Sequence, residues 1–200
     1  MNIKYFKMKK TMIGIAIFAS FLIACNNNND KSGETQTKTT DTAQANIPAK
    51  SGDIKDAAPL KEIINTYLQI KNGLANDNGK DAASGGKAFV DAIGKVDKSK
   101  FTADQNKTYT DIADDAKEMA EHIAGNADRL AHQREHFDML SKDMYDMVKA
   151  FGAGQPLYKD FCPMYNENKG AIWLSETKEV KNPYLGRSMP ACGSVKEELK

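Results

Sequence analysis

The stretch that decides the fold is ADRLAHQREHFDMLSKDMYDMVKAF, residues 127–151. Its large apolar residues recur every three or four positions, as on one face of an α-helix: Leu130, Phe137, Leu140, Met144, Val148 and Phe151. It is followed directly by Gly152, Gly154 and Pro156, and residues of these types end helices. The stretch therefore predicts an amphipathic helix that buries one face against other helices.

Three further stretches, all nearer the N-terminus, have the same helical periodicity. They are residues 58–76, 80–95 and about 102–125. Gly85-Gly86 weakens the second helix unless a neighbouring helix approaches closely there. Thr102 and Gln105 form a capping-box pattern that opens the third helix. Because the connecting loops are short, the sequence predicts a mainly α fold, an antiparallel bundle of about four helices.

The C-terminal part, residues 157–200, lacks this periodicity. It contains the only tryptophan of the chain and two of its three cysteines. Residues 157–161 and 171–174 have the apolar composition of short strands. We therefore expect a small irregular subdomain with a β-hairpin, followed by a loop that lies against the bundle.

The first 24 residues have the three parts of a bacterial secretion signal. A basic stretch with four lysines is followed by the apolar run Met12–Phe21 and by Leu22-Ile23-Ala24-Cys25. The apolar run is shorter than the roughly 20 residues that span a bilayer, so it fits a signal peptide. Its end resembles the lipobox of bacterial lipoproteins, in which the cysteine carries a covalent lipid. We therefore predict that residues 1–24 are cleaved and that Cys25 anchors the protein to a membrane of the bacterial envelope, facing the periplasm.

Composition divides the rest of the chain into a tether and a domain. Residues 25–56 are almost all small or polar, so we predict a disordered tether. Residues 57–200 have the size of one compact domain. All 27 acidic residues but only 24 of the 28 basic residues follow residue 24, which gives the mature chain a net charge of −3. This charge does not favour a nucleic-acid partner, and we predict none.

Two sulfur-bearing motifs lie in the C-terminal part. Cys162-Pro163-Met164 and Met189-Pro190-Ala191-Cys192 each offer a thiolate and a thioether. Soft donors of this kind select Cu(I) and similar metals, and with an imidazole they would complete a soft-metal site. The simpler alternative is a Cys162–Cys192 disulfide, which would close a loop of about 30 residues and contribute about 3–4 kcal/mol. The residues alone leave both interpretations open.

The fourth helix contains two histidines at the H-x-x-E-H spacing of an inverted zinc-protease motif, His132 and His136. At 100° per residue His132 points mostly to solvent and His136 lies at the edge of the apolar stripe. The chain offers no obvious third protein ligand after the motif, and no other catalytic motif is present, so we predict that the protein is not an enzyme. His122, near the end of the third helix, is predicted to interact with the helix dipole.

One flank of the fourth helix combines polar side chains with methionines. It contains His136, Met139, Asp143 and Met147. Because a methionine on a polar flank suggests that another segment covers it, we expect the C-terminal part to pack there and to bring its cysteines near His136.

Five short motifs together resemble an uncharacterised helical domain family. They are Arg134-Glu135-His136-Phe137 with Ser141 downstream, Cys162-Pro163-Met164, Gly170-Ala171-Ile172-Trp173-Leu174-Ser175, Asn182-Pro183-Tyr184-Leu185-Gly186 and Met189-Pro190-Ala191-Cys192-Gly193. The family occurs in lipoproteins of Gram-negative bacteria and is also attached to adaptor (membrane-fusion) subunits of heavy-metal efflux pumps.

The resemblance covers about residues 57–196 and implies a role in copper or silver handling in the periplasm. It implies an efflux adaptor as a partner, and Cu(I) or a similar soft ion as ligand. The positions that match the family's motifs and would hold the metal are Cys162, Met164, Met189, Cys192 and His136. The leading hypothesis is therefore a membrane-anchored protein that binds a soft metal ion and buffers it or passes it to efflux. The alternative is a structural or interaction module of the envelope, stabilised by the disulfide and without metal.

Overall fold

The computed structural model describes residues 58–200. The predicted signal peptide, the lipid site Cys25 and the tether lie outside the described residues. The predictions made for residues 1–56 therefore remain predictions.

Four long α-helices make up most of the described chain. They are α1 (Lys61–Ala75), α2 (Gly79–Ile93), α3 (Ala103–Gly125) and α4 (Leu130–Phe151). Each packs on the next in sequence, and the predicted mainly α bundle is confirmed. The capping box is present, because Thr102 Oγ1 accepts from the N–H of Gln105 while Gln105 Oε1 accepts from the N–H of Thr102. No helix in residues 58–200 is long and apolar enough to cross a bilayer.

The glycine pair of α2 lets this helix touch both of its neighbours. A Cβ on Gly85 would lie 2.8 Å from the backbone nitrogen of Ile70 in α1. A Cβ on Gly86 would lie 2.8 Å from the carbonyl oxygen of Ala120 in α3. These distances leave no room for a side chain. Close approach of two helices therefore explains why a weak helix sequence is helical here.

The C-terminal part forms a three-stranded antiparallel sheet. Its strands are β1 (Leu157–Cys162), β2 (Ala171–Ser175) and β3 (Ser194–Leu199), in the order β2-β1-β3. A short turn-like segment, α5 (Tyr165–Asn168), joins β1 to β2, and its residues Asn166 and Glu167 have left-handed rather than α-helical backbone angles. The predicted hairpin is present as β1 and β2, whereas β3 was not predicted. Its sequence, SVKEEL, is mostly exposed and carries little apolar signal, so its strand structure depends on pairing with β1.

The sheet and its following loop pack on one side of α4. Arg134 Nε donates to the carbonyl oxygen of Pro183 at 2.8 Å. The ring of Phe137 lies 5.7 Å from that of Tyr184, whose hydroxyl is 3.5 Å from Ser141 Oγ. These three residues of α4 share one face of the helix, and this face joins the sheet to the common core.

The flank of α4 that was expected to be covered by the C-terminal part faces α3 instead. His136 Nδ1 is 3.3 Å from Sδ of Met119 in α3. Burial, and then the charge of Asp115 in α3, raise the pKa of Asp143 to about 6. The prediction was wrong because a turn of 200° separates positions 134 and 136 on a helix, so one neighbour cannot cover both.

Candidate metal centre

The structure brings the two cysteines of the C-terminal part together. Cys162 is the last residue of β1 and is fully buried, whereas Cys192 lies in the turn before β3 and is partly exposed. Their Sγ atoms are 3.0 Å apart. Thiolates on one tetrahedral ion would lie about 3.8 Å apart and disulfide sulfurs about 2.05 Å apart. The sulfurs therefore need to move by only about 1 Å to reach either arrangement.

The other predicted ligands divide between two places. Met164 and Met189 lie near the cysteines in sequence, and their side chains are 50% and 40% exposed. His136 contacts Met119 and His132 in the bundle. Among the described residues, only His122, His132 and His136 form a group of three or more His, Cys, Asp or Glu ligand atoms within 4.8 Å of one another. His136 is thus grouped with the two other histidines and not with the cysteines.

The three histidines meet where α3 ends and α4 begins. His122 lies in the last turn of α3, and His132 and His136 are one turn apart on α4. Nε2 of His132 is 3.2 Å from Nε2 of His136. The rings of His122 and His136 stack with centroids 4.2 Å apart. One ring nitrogen from each of three residues is therefore available to a single ion.

A buried glutamine fixes the two helix ends that carry these histidines. Gln133 is fully buried, and its Nε2 donates to the carbonyl oxygens of Ile123 in α3 and Gly79 in α2, each at 2.9 Å. The carbonyl of Ile123 also accepts from the N–H of Asn126, the residue that follows α3, at 3.4 Å, so that Gln133 gives it a second, buried donor. These bonds hold the first turn of α4 against the last turn of α3, and so place His132 opposite His122.

Burial and the neighbouring charges set the protonation of His136. Burial, followed by the charges of His122 and His132, lowers the pKa of His136 below its usual value, although Glu135 and Glu118 act in the opposite direction. The ring of His136 is therefore neutral near pH 7 and keeps a lone pair for a metal ion. Glu135 Oε2 is 3.4 Å from Nδ1 of His132, which leaves Nε2 of His132 facing the cluster. Carboxylates hold metal-binding histidines in this way.

The spacing of the ring nitrogens fits a tetrahedral ion. Two nitrogens at bond lengths of about 2.0–2.1 Å lie about 3.3 Å apart around such an ion. The separation between His132 and His136 is 3.2 Å. The planes of His122 and His136 are only 3° apart, and a metal lies in the plane of each ring that binds it, so one ring must tilt on binding. His122 is exposed, which leaves space for that tilt.

Two of these three histidines were not assigned to a site from the sequence. His132 was predicted to face solvent, and His122 to interact with the helix dipole. A signal was nevertheless present, because His122 lies three residues before the end of α3 and His132 two residues after the start of α4. In an antiparallel helix pair with a short loop, residues at similar distances from the loop lie opposite each other.

Of the comparisons with known proteins, one finds a match, and it covers the helical part of the chain. A family model with the description "Protein of unknown function (DUF3347)" matches residues 63–156. The matched stretch contains the three histidines and ends before β1, so it does not reach either cysteine. No curated protein and no solved structure matches the chain. The chain is therefore similar over its helices to a family without an assigned function.

Proposed function

We propose that this protein is a lipoprotein of the bacterial envelope whose helical part binds one Cu(I) or a similar soft metal ion between α3 and α4. The ligands are His122, His132 and His136. The observation that carries the proposal is that one ring nitrogen from each lies within 4.8 Å of the others. The protein would buffer the ion or pass it to a heavy-metal efflux adaptor, and no catalytic step is proposed.

The donor atoms favour a soft or borderline ion over Mg²⁺ or Ca²⁺. Imidazole nitrogens suit copper and zinc, and a thioether favours Cu(I). Met119 supplies such a sulfur, 3.3 Å from Nδ1 of His136. The neutral state of His136 near pH 7 also supports binding, since a protonated imidazole has no lone pair to donate.

This proposal keeps only His136 from the ligand set that the resemblance implies. Met164 and Met189 are half exposed, and His136 has its contacts in the bundle rather than with the cysteines. We therefore assign the metal to the histidines and treat the cysteine pair as a separate feature.

The membrane anchor and the compartment rest on the sequence of the first 25 residues. A lipid on Cys25 contributes about 0.8 kcal/mol per buried methylene group, so its loss should release the protein. We expect Cys25→Ala to move the protein from the membrane fraction to the periplasmic extract. Continued pelleting of this variant with membranes after a carbonate wash would contradict the anchor, without bearing on the metal site.

The metal site is tested by titrating the purified protein against a competing Cu(I) chelator, with Zn²⁺ in a parallel experiment. We expect one ion per chain, and at least about a 100-fold loss of affinity in the His132→Ala, His136→Ala double variant, since even the loss of a residue that only supports a ligand costs 10–100-fold. Circular dichroism of each variant controls for folding.

A matched variant separates the histidine site from the site expected from the resemblance. Cys162→Ser with Cys192→Ser, and Met164→Ala with Met189→Ala, leave all three histidines in place. We expect both pairs to bind metal as the wild type does. If these variants lost metal affinity strongly and the histidine variant did not, the metal site would lie at the cysteines.

The second candidate function is a structural or interaction module without metal. It is favoured by the 3.0 Å separation of the cysteine sulfurs, which a small movement would turn into a disulfide. Absence of any Cu(I) or Zn²⁺ binding by the wild type would reject the metal proposal and leave this candidate.

A further inference from the structure

The cysteine pair is chemically asymmetric. Cys162 is fully buried, and burial alone would raise the pKa of its thiol. Hydrogen bonds from Cys192, from the backbone of Met164 and Tyr165 and from the side chain of Asn182 outweigh burial and lower that pKa. The hydrogen bond to Cys162 raises the pKa of Cys192. Cys162 is therefore the sulfur at which the fold stabilises a negative charge.

The backbone after β1 turns sharply next to Cys162. Asn166, Glu167 and Asn168 follow with φ values of 52°, 56° and 65°, a left-handed conformation that costs a non-glycine residue about 1–2 kcal/mol. The turn reverses the chain between β1 and β2, beside Cys162. Local strain of this kind persists where the surrounding structure enforces it, and it is concentrated at functional sites.

The second cysteine is held from the other side by a buried asparagine. Asn182 is fully buried, and its Nδ2 donates to the carbonyl oxygen of Cys192 at 2.6 Å. Its N–H donates to the carbonyl oxygen of Pro190 at 2.8 Å. Gly193, which directly follows Cys192, has a φ of +136°, and a Cβ there would lie 2.9 Å from the ring of Trp173. These contacts hold Cys192 beside Cys162, and Cys192 remains partly exposed to solvent.

We infer that Cys162 and Cys192 form a disulfide that exchanges with external thiols, in which the incoming thiolate attacks Cys192 and Cys162 leaves. The accessible sulfur is Cys192, since Cys162 is fully buried. The leaving sulfur is the buried one, Cys162, which lies 3.0 Å from Cys192; its lowered pKa makes it the better leaving thiolate, and such a thiolate speeds exchange. The substrate class is a thiol, either a small one such as glutathione or a dithiol of another protein.

The atoms and electrons balance in two steps. A thiolate RS⁻ attacks Sγ of Cys192, the R–S–Sγ bond forms, the Sγ–Sγ bond breaks, and the electron pair stays on Cys162. A second RS⁻ attacks the R sulfur, RSSR forms, and Cys192 leaves as a thiolate that takes a proton from water. Two external thiols are oxidised, and the protein disulfide is reduced by two electrons.

Exposed apolar side chains flank both cysteines. Met164 and Met189 are 50% and 40% exposed, and large apolar residues with this exposure are few among the described residues. They offer an apolar contact surface beside the accessible sulfur, of the kind a partner protein would cover.

The exchange is tested on the full-length chain carrying Cys25→Ser, so that only two thiols can react. The oxidised protein is incubated with a large excess of reduced glutathione, and the products are separated by intact mass after alkylation. We expect most of the pair to be reduced within minutes. A pair that stays oxidised for hours in native conditions but is reduced in urea would be a structural disulfide, and would overturn the inference.

Single-cysteine variants test which sulfur is attacked. Each variant is incubated with oxidised glutathione. The Cys162→Ser variant keeps the accessible Cys192, and the Cys192→Ser variant keeps the buried Cys162. We expect the first to form the mixed disulfide at least about tenfold faster than the second. Equal rates, or the reverse order, would contradict the assigned roles. Melting curves show whether each variant is folded. Met139→Ala serves as the matched control, because it removes a 41% exposed methionine of α4 and should leave the exchange rates of the cysteine pair unchanged.

Discussion

The helical part and the C-terminal part use different means to bring their reactive side chains together. In the helical part, the histidines lie on regular helices, and their spacing follows from the i, i+4 geometry of α4 and from the contact of α3 with α4. In the C-terminal part, the cysteines lie at a strand end and in a turn, and contacts of the backbone, Asn182 and Gly193 place them. The family match covers the first part and stops before the second. The histidine cluster is thus formed by side chains of α3 and α4 alone, whereas the sheet packs on α4 and shares a common core with the helices.

The largest expected effect tests whether the two parts unfold as one. Trp173 in β2 is fully buried, and its ring lies 5.9 Å from that of Tyr184, which contacts α4. We expect Trp173→Ala to cost about 3–5 kcal/mol and to lower the melting temperature of the whole domain in a single transition. Val195→Ala, at a 38% exposed position of β3, should cost less than about 0.5 kcal/mol. Two separate transitions in circular dichroism would show that the parts fold independently.

The second prediction concerns a buried acid of the C-terminal part. Burial raises the pKa of Asp160 to about 7, although the nearby Lys71 acts in the opposite direction. Neither of its carboxylate oxygens has a hydrogen-bond partner among the described residues. Because the folded state binds this proton more tightly than the unfolded state, the contribution of Asp160 to stability is full below about pH 4 and is lost as the pH rises to 7.

Asp160→Asn removes this loss, so we expect the variant to be more stable than the wild type at pH 8.5, by up to about 4 kcal/mol for a shift of about three pKa units. The difference should nearly vanish at pH 4. Urea denaturation at both pH values measures it, with the exposed Glu179→Gln as control. Parallel profiles of variant and wild type would show that Asp160 has an ordinary carboxyl pKa.

The third prediction concerns the helical part and links its stability to metal binding. Gln133→Ala removes two buried hydrogen bonds, to the carbonyl oxygens of Ile123 and Gly79, which costs about 1–3 kcal/mol. Because the same bonds align the histidines, we expect metal affinity to fall by about 10–100-fold while thiol exchange is unchanged. The exposed Gln69→Ala is the control. Wild-type affinity in a folded Gln133→Ala protein would show that the histidines do not need this alignment.

The smallest expected effect concerns the N-cap of α3, at the far end of this helix from the histidines. Thr102 caps α3 about 30 Å along the helix from His122. Thr102→Ala should cost about 1 kcal/mol through loss of the cap, and should change neither metal affinity nor thiol exchange. A change in metal affinity or in the rate of thiol exchange would mean that a structural change at the N-terminus of α3 is propagated along the helix.

The sequence alone determined the four helices of the bundle, because each carries apolar residues at helical spacing over four or more turns. It also predicted the capping box at Thr102 and the hairpin of β1 and β2. It did not predict β3, whose exposed residues give no apolar alternation, so that its structure depends on its partner strand.

Only the tertiary structure decided which side chains meet. Periodicity gives the direction of a side chain around its own helix, but it does not say which neighbour occupies that direction. For this reason the sequence assigned His136 to the cysteines, while the packing of α4 on α3 places it with His122 and His132. The pairing of Cys162 with Cys192 likewise depends on a strand end and a turn that approach through contacts about 30 residues apart in the chain. Residue types limited the chemistry to imidazole and sulfur donors, and the long-range contacts divided those donors between two places.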